Sequence, residues 1–106
     1  MALNPTLCRH LALAWLIDTL EHPNVPNLQA RTDWPRRTLQ DAIKRLPAWG
    51  ITVEYVQDYH ASDTGFKGQQ HNAGYYVLRD WGMYRRDWVK QHLADVFASV
   101  DLALSE

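Results

Sequence analysis

The chain has 106 residues, 46% apolar and 22% charged, with a net charge of −1, which is the balance of an ordinary globular protein of one domain spanning residues 1–106. A near-neutral total counts against a strongly basic, general nucleic-acid binder. The single cysteine excludes an internal disulfide and a multi-cysteine zinc site, and the five tryptophans point to an aromatic core or to aromatic surface used for contact.

In chain order, Asn4-Pro5 opens a first helix expected over 5–21, with asparagine as its cap and proline at the first helical position. Leu7, Cys8, Leu11, Trp15 and Leu16 line one side of it, and Leu13, Ile17 and Leu20 line another. A helix apolar nearly all round is a central core helix, and a second face used between subunits fits the same pattern. Cys8 reads as a buried thiol, and His10 and His22 read as solvated residues at the helix ends. The apolar run Leu11 to Ile17 is too short for a signal peptide or a membrane span, so no membrane association and a cytoplasmic location are expected. His22 to Pro26 is a connector in which Val25 is a candidate for a short strand. A second helix comes next over 26–32, anchored by Leu28 and Ala30.

Asp33-Trp34 reads as a tight turn, with Trp34 plugging the core and Asp33 either left-handed or capping the third helix. That helix is expected over 35–46. Pro35 lies in its first turn and Pro47 stops it. At about 100° per residue, Leu39, Ala42, Ile43 and Leu46 share one face. Arg37, Gln40, Asp41 and Lys44 share the opposite face, flanked by Arg36 and Arg45. Arginine, glutamine and lysine are the side chains that hydrogen-bond base edges and phosphates. Between Pro26 and Gly50 five basic residues face two acidic ones, a local net charge of +3. The positive field is therefore concentrated on this segment.

Gly50 precedes an alternating, β-branched run expected as a strand over 51–58, and Tyr75 to Asp80 is its antiparallel partner over 75–80. Between them lies a long polar connection, Tyr59 to Gly74, that carries Lys67 near its middle. The remainder is expected as one helix over 84–104. Val89, Leu93, Val96, Phe97, Val100 and Leu104 form its apolar stripe.

The segment NLQARTDWPRRTLQDAIKRLPAWGI, with small Ala30, the Asp33-Trp34 turn, the helix opening Pro35-Arg36-Arg37-Thr38-Leu39 and the glycine before a strand, resembles the helix-turn-helix of winged-helix DNA-binding proteins. Asp33 stands where that family usually has glycine, and Pro35 where the helix often begins with serine. The resemblance implies an α+β fold: a core over 5–82 with a helix-turn-helix at 26–46 and a wing at 51–80, then an additional C-terminal helix over 83–106. It further implies a sequence-specific transcriptional regulator that puts the helix at 35–46 into the major groove of double-stranded DNA. Its DNA-binding residues would be Arg36, Arg37, Gln40, Asp41, Lys44, Arg45 and, from the wing, Lys67. Asp41 would accept from a cytosine amine, or pair with Arg37 or Arg45 at helical spacing. The C-terminal stripe Val89, Leu93, Val96, Phe97 and Val100 either mediates a homodimer, as such helices often do in the family, or packs back on the first helix of its own chain.

Other chemistries are weaker. Gly65-Phe66-Lys67-Gly68 matches the GxxG loop of KH modules, but strands flank it here. His60 and His71 are two ligands of unknown register, so no metal is expected. No catalytic order, phosphate loop or cofactor fingerprint occurs, so neither an enzyme nor a cofactor is expected. The alternative function is a winged-helix module that binds protein in a larger assembly, because fold alone does not select the partner.

Overall fold

A computed structural model describes residues 4–57 and 74–102. Helix α1, Pro5–Thr19, is capped by the Asn4 side chain, which accepts from the N–H groups of Thr6 (2.8 Å) and Leu7 (3.1 Å). It stops two residues short of the expected end because Leu20 is already extended ahead of Pro23. Cys8, Leu11, Ala12, Leu13, Ala14, Leu16 and Ile17 are buried on all sides of it. Leu13 and Ile17 of the second apolar face are covered by the chain itself. His10 is also buried, at 4% exposure, and is not the solvated residue its position in the sequence suggests. Its ring lies 5.4 Å from Trp49, and Nδ1 is 2.8 Å from the Thr6 carbonyl oxygen. His22 is half-buried, 4.9 Å from the ring of Tyr75.

Helix α2, Val25–Thr32, begins with Asn24 as its cap and Pro26 in the first turn. Val25 is thus helical and forms no strand. The contact expected of it is made just before the helix, where the Tyr76 N–H donates to the Pro23 carbonyl at 2.7 Å. Leu28 is the anchor, whereas Ala30 is exposed. The helix ends at Asp33, left-handed at φ 59°, whose N–H donates to the Gln29 carbonyl at 2.7 Å. Pro35, extended, is the N-cap residue of α3, Arg36–Arg45, and contributes no side-chain cap. Leu39, Ala42 and Ile43 fasten α3 to the core. Pro47 ends the α-helical ladder, and the chain tightens into a 3₁₀ turn over Leu46–Trp49. The turn closes on Gly50 with two bonds, Gly50 N–H to Pro47 and Ile51 N–H to Leu46. Both hydrophobic residues of that cap, Leu46 and Ile51, are fully buried.

Strands β1, Thr52–Val56, and β2, Tyr75–Asp80, pair antiparallel from Val56 opposite Tyr75 to Val53 opposite Leu78, with an irregularity next to Thr52. β2 matches its expected bounds. β1 is shorter at both ends, since Ile51 belongs to the preceding cap and Gln57 lies past the last paired residue, Val56; Asp58 lies outside the described residues. Gly82, at φ 67°, comes after β2, and a Cβ there would overlap the carbonyl of Gly50.

The single C-terminal helix expected from the periodicity is two short ones, α4, Arg86–Gln91, and α5, Leu93–Ala98. The chain breaks at His92, whose ring stacks 4.1 Å from Trp88 while its Nδ1 sits 2.8 Å from the Trp88 carbonyl oxygen. Asp101, left-handed at φ 57°, ends α5 with a second cap that buries Leu102. Leu104 lies outside the described residues. The stripe belongs to the chain's own core: Val89 and Val96 are fully buried, Phe97 nearly so, and Leu93 and Val100 pack against them. Its assignment to a subunit interface is therefore corrected. The break at His92 folds the two short helices onto the molecule, and α5 contacts α1.

Candidate nucleic-acid interface

The geometry of α3 is set by where its apolar residues fall. With Leu39, Ala42 and Ile43 inward, Arg36, Arg37, Asp41, Lys44 and Arg45 are exposed, and Gln40 is half-buried at the margin. The six α3 residues singled out in the sequence thus share one solvent-facing side. Lys67, the seventh, lies outside the described residues, as do His60 and His71. Asp41 forms no ion pair with Arg37 or Arg45; the ion pairs among the described residues are Arg79–Glu54 at 3.2 Å and Arg86–Asp18 at 2.6 Å.

The polar face divides into three. Arg37 and Lys44 lie along its crest, lining neither of the clefts that flank the helix. On one flank, Arg36 and Gln40 line a cleft of about 200 Å³ shared with Asn24 at the start of α2 and with Tyr55 and Tyr76 of the sheet. On the other flank, Thr38, Asp41 and Arg45 line a cleft of about 360 Å³ shared with Thr6, Arg9 and His10 of α1. A helical wheel merges these flanks, since it carries no information about the neighbours of each edge.

The two tyrosines are a feature that residue pattern alone missed. They sit opposite one another in the register and their rings meet edge-on at 5.0 Å. Gly74 makes room for this. A Cβ there would fall within the Tyr55 phenol, so a side chain at that position would require the ring to swing aside. Burial pushes the Tyr76 hydroxyl above the ordinary phenol value, with Tyr55 adding to the effect. Near neutrality Tyr76 is therefore a neutral hydroxyl, able to donate to an anionic oxygen. The signal in the sequence was the pair Tyr55 and Tyr75-Tyr76 on neighbouring strands, but nothing local says which of the three meets the helix.

A two-stranded antiparallel hairpin behind a helix-turn-helix, with a charged outward face on the second helix of the pair, defines a winged-helix architecture. Comparison with known families bears this out: the family described as "Winged helix-turn helix" matches residues 2–100. The chain belongs to that winged helix-turn-helix family. Among solved structures it is similar to a DUF2131 family protein from Shewanella amazonensis SB2B, at 38% identity and a TM-score of 0.76, with 93% of this chain and 86% of that one covered. Comparison with curated proteins gives no match. Among the described residues, no helix is long and apolar enough to cross a membrane, and no three His, Cys, Asp or Glu side chains gather as a metal site would need.

Proposed function

We propose that the protein is a sequence-specific DNA-binding regulator of transcription, working in the cytoplasm, that sets α3 in the major groove. The observation that carries this is the exposure of Arg36, Arg37 and Lys44 together on a helix whose other side is pinned by fully or nearly buried Leu39, Ala42 and Ile43. A rigid helix presenting bidentate donors at its N-terminal end suits base-edge readout. Arg36, Arg37 and Gln40 are the base-reading candidates. Lys44 and Arg45, farther along, hold phosphates, as does Lys67 of the wing. Asp41 accepts from a cytosine amine. The reading assigns the chain no catalytic step. The test is selection of a site from random DNA, and then titration at two or more salt concentrations. Enrichment of a defined sequence is expected. If none is enriched, and the Arg36/Arg37 double alanine variant binds bulk DNA as well as the parent does, the assignment fails.

We infer further that the protein pairs with a second copy, and through a surface other than the buried C-terminal stripe. Leu7, Leu11, Tyr84 and Trp88 line an apolar cleft of about 300 Å³, with Met83 standing 82% exposed at the same place. A knob and a hollow on one face are self-complementary about a two-fold axis, and exposed Arg85 lines the same cleft. Sedimentation equilibrium at micromolar concentration should give the mass of a dimer, reduced by Met83→Asp. A monomer throughout removes the second copy and leaves this face to a different protein, the interaction-module reading.

A further inference from the structure

The cleft between α3, the start of α2 and the sheet gathers donors that no group of the chain answers. Its polar lining is Asn24, Arg36, Gln40, Tyr55 and Tyr76, and no carboxylate among the described residues joins them. Backbone bonding sets these residues side by side. The Tyr76 N–H donates to the carbonyl of Pro23, the residue before Asn24, and Tyr55 lies opposite Tyr76 in the sheet. Arg36 and Gln40 are one turn apart on α3 and share its edge. Asn24 is 8% exposed, and its Oδ1 accepts from the Asn27 N–H at 2.8 Å, so the amide keeps Nδ2 as its remaining group. That Nδ2, the Arg36 guanidinium, the Gln40 amide and the two phenol hydroxyls make no hydrogen bond or ion pair among the described residues. The Tyr76 hydroxyl, protonated near neutrality, is a donor like the others.

We propose that this cleft seats one deoxyribose-phosphate unit of the DNA strand that borders the major groove. The proposal rests on the DNA-binding reading above and adds to it a contact made outside the groove. Arg36 is the one charged residue of the lining, so a single phosphodiester balances the wall. A base edge presents donors and acceptors together, whereas phosphate oxygens only accept. With Asn24 Oδ1 already occupied, the lining is weighted to donors, as phosphate requires. Val25, Pro26 and the tyrosine rings give the wall an apolar part on which the sugar lies. Size argues against a free ligand. About 200 Å³ is below the roughly 300–1,000 Å³ of small-molecule sites, and is room for one unit of a polymer held elsewhere as well. Such a contact carries no base information; it fixes the register and orientation in which α3 enters the groove. Arg36 goes to the phosphate, and Arg37, on the crest, to the bases.

The test is a binding titration on the selected DNA site, repeated with single phosphates of that site replaced in turn by neutral methylphosphonates. Asn24→Asp keeps an acceptor that caps α2 and puts a negative charge where the donor was. It should weaken binding about tenfold or more, the size of one hydrogen bond to a charged group. Tyr76→Phe should weaken it less, and base preference should stay unchanged in both variants, whose amide spectra report that they remain folded. At one phosphate the methylphosphonate should cost the parent about tenfold and Asn24→Asp little, because the partner is already lost; at the other phosphates the two losses should add. Variants that bind as tightly as the parent, losses that add at every phosphate, or a changed base preference each overturn the seat and leave the regulator reading standing. A parent that binds no DNA removes both. Titration of the ¹⁵N-labelled protein with inorganic phosphate separates the other source of the same chemistry. Saturable shifts at the cleft residues, with DNA affinity indifferent to Asn24→Asp, would give the cleft to a free phosphate ester and overturn its assignment to DNA.

Discussion

Helix α3 and the C-terminal pair α4–α5 carry the same kind of signal, an apolar stripe at helical spacing, and put it to opposite ends. In α3 the stripe is narrow, and the charged remainder of a ten-residue helix is left free to face a partner. In α4–α5 the stripe is absorbed by the molecule's own centre, where Phe97 also receives the Arg31 guanidinium over its ring at 5.5 Å. An amphipathic pattern states that a face is buried and does not state against whom. What separates the two helices is the opposite face: arginine, lysine and glutamine side chains, of the types able to bond base edges and phosphates, on α3, and mixed charges such as Asp87, Lys90 and Asp95 on α4–α5.

The largest effect that would break this contrast is on stability. Phe97→Ala should cost about 3–5 kcal/mol in urea denaturation, as a cavity in a packed core does. Arg37→Ala should stay within about 0.5 kcal/mol of the parent. A Phe97 variant as stable as the parent would return the stripe to an interface. Next in size, Arg37→Ala or Gln40→Ala should lose about 1–3 kcal/mol of affinity on the selected DNA site and relax base preference there, measured against single-base variants of that site. Lys44→Ala should weaken all sequences alike, and the slope of log affinity against log salt should fall by about 0.9. A sequence-dependent loss at Lys44 would exchange its role with that of Arg37.

The smallest effect concerns Tyr76. Its hydroxyl ionises above the ordinary phenol value of 10.0 in the folded protein, so above that pH the unfolded chain sheds its proton first. Folding stability should be indifferent to this group below pH 10.0 and should fall as pH rises through the folded value, and Tyr76→Phe should flatten that part of the decline. Guanidinium midpoints collected from pH 8 to about 11 would measure it; a decline unaltered by the substitution would place the cause elsewhere.

Much of the fold was legible because its signals are local. Asn4-Pro5 opens α1, Asp33 is left-handed, Pro47 halts α3, and residues 75–80 form the antiparallel partner strand with the expected bounds. The break at His92 was not legible. Nothing in the spacing from Val89 to Phe97 interrupts a helix, and the ring stack of His92 on Trp88 found at the break leaves no mark in that spacing. His10 escaped for a similar reason, since its burial depends on Trp49, thirty-nine positions away in the chain. The candidate interface was half legible. The outward residues of α3 are set by its own period, but Tyr55, Tyr76 and the division of the face into two clefts depend on which elements pack at each edge.

The two glycines at the foot of the hairpin bear on how freely this wing can change. Gly50 and Gly82 bring their backbones together where the sheet departs and returns, and the closest approach leaves no space for a side chain. The ends of the excursion are thus held by the body of the protein, independently of how many residues lie between them. A connection anchored in this way tolerates insertion well, because doubling its length adds only about 0.6 kcal/mol of closure entropy. The foot of the hairpin is accordingly the place where a side chain is least tolerated, and a Gly82→Ala variant would force the two backbones apart.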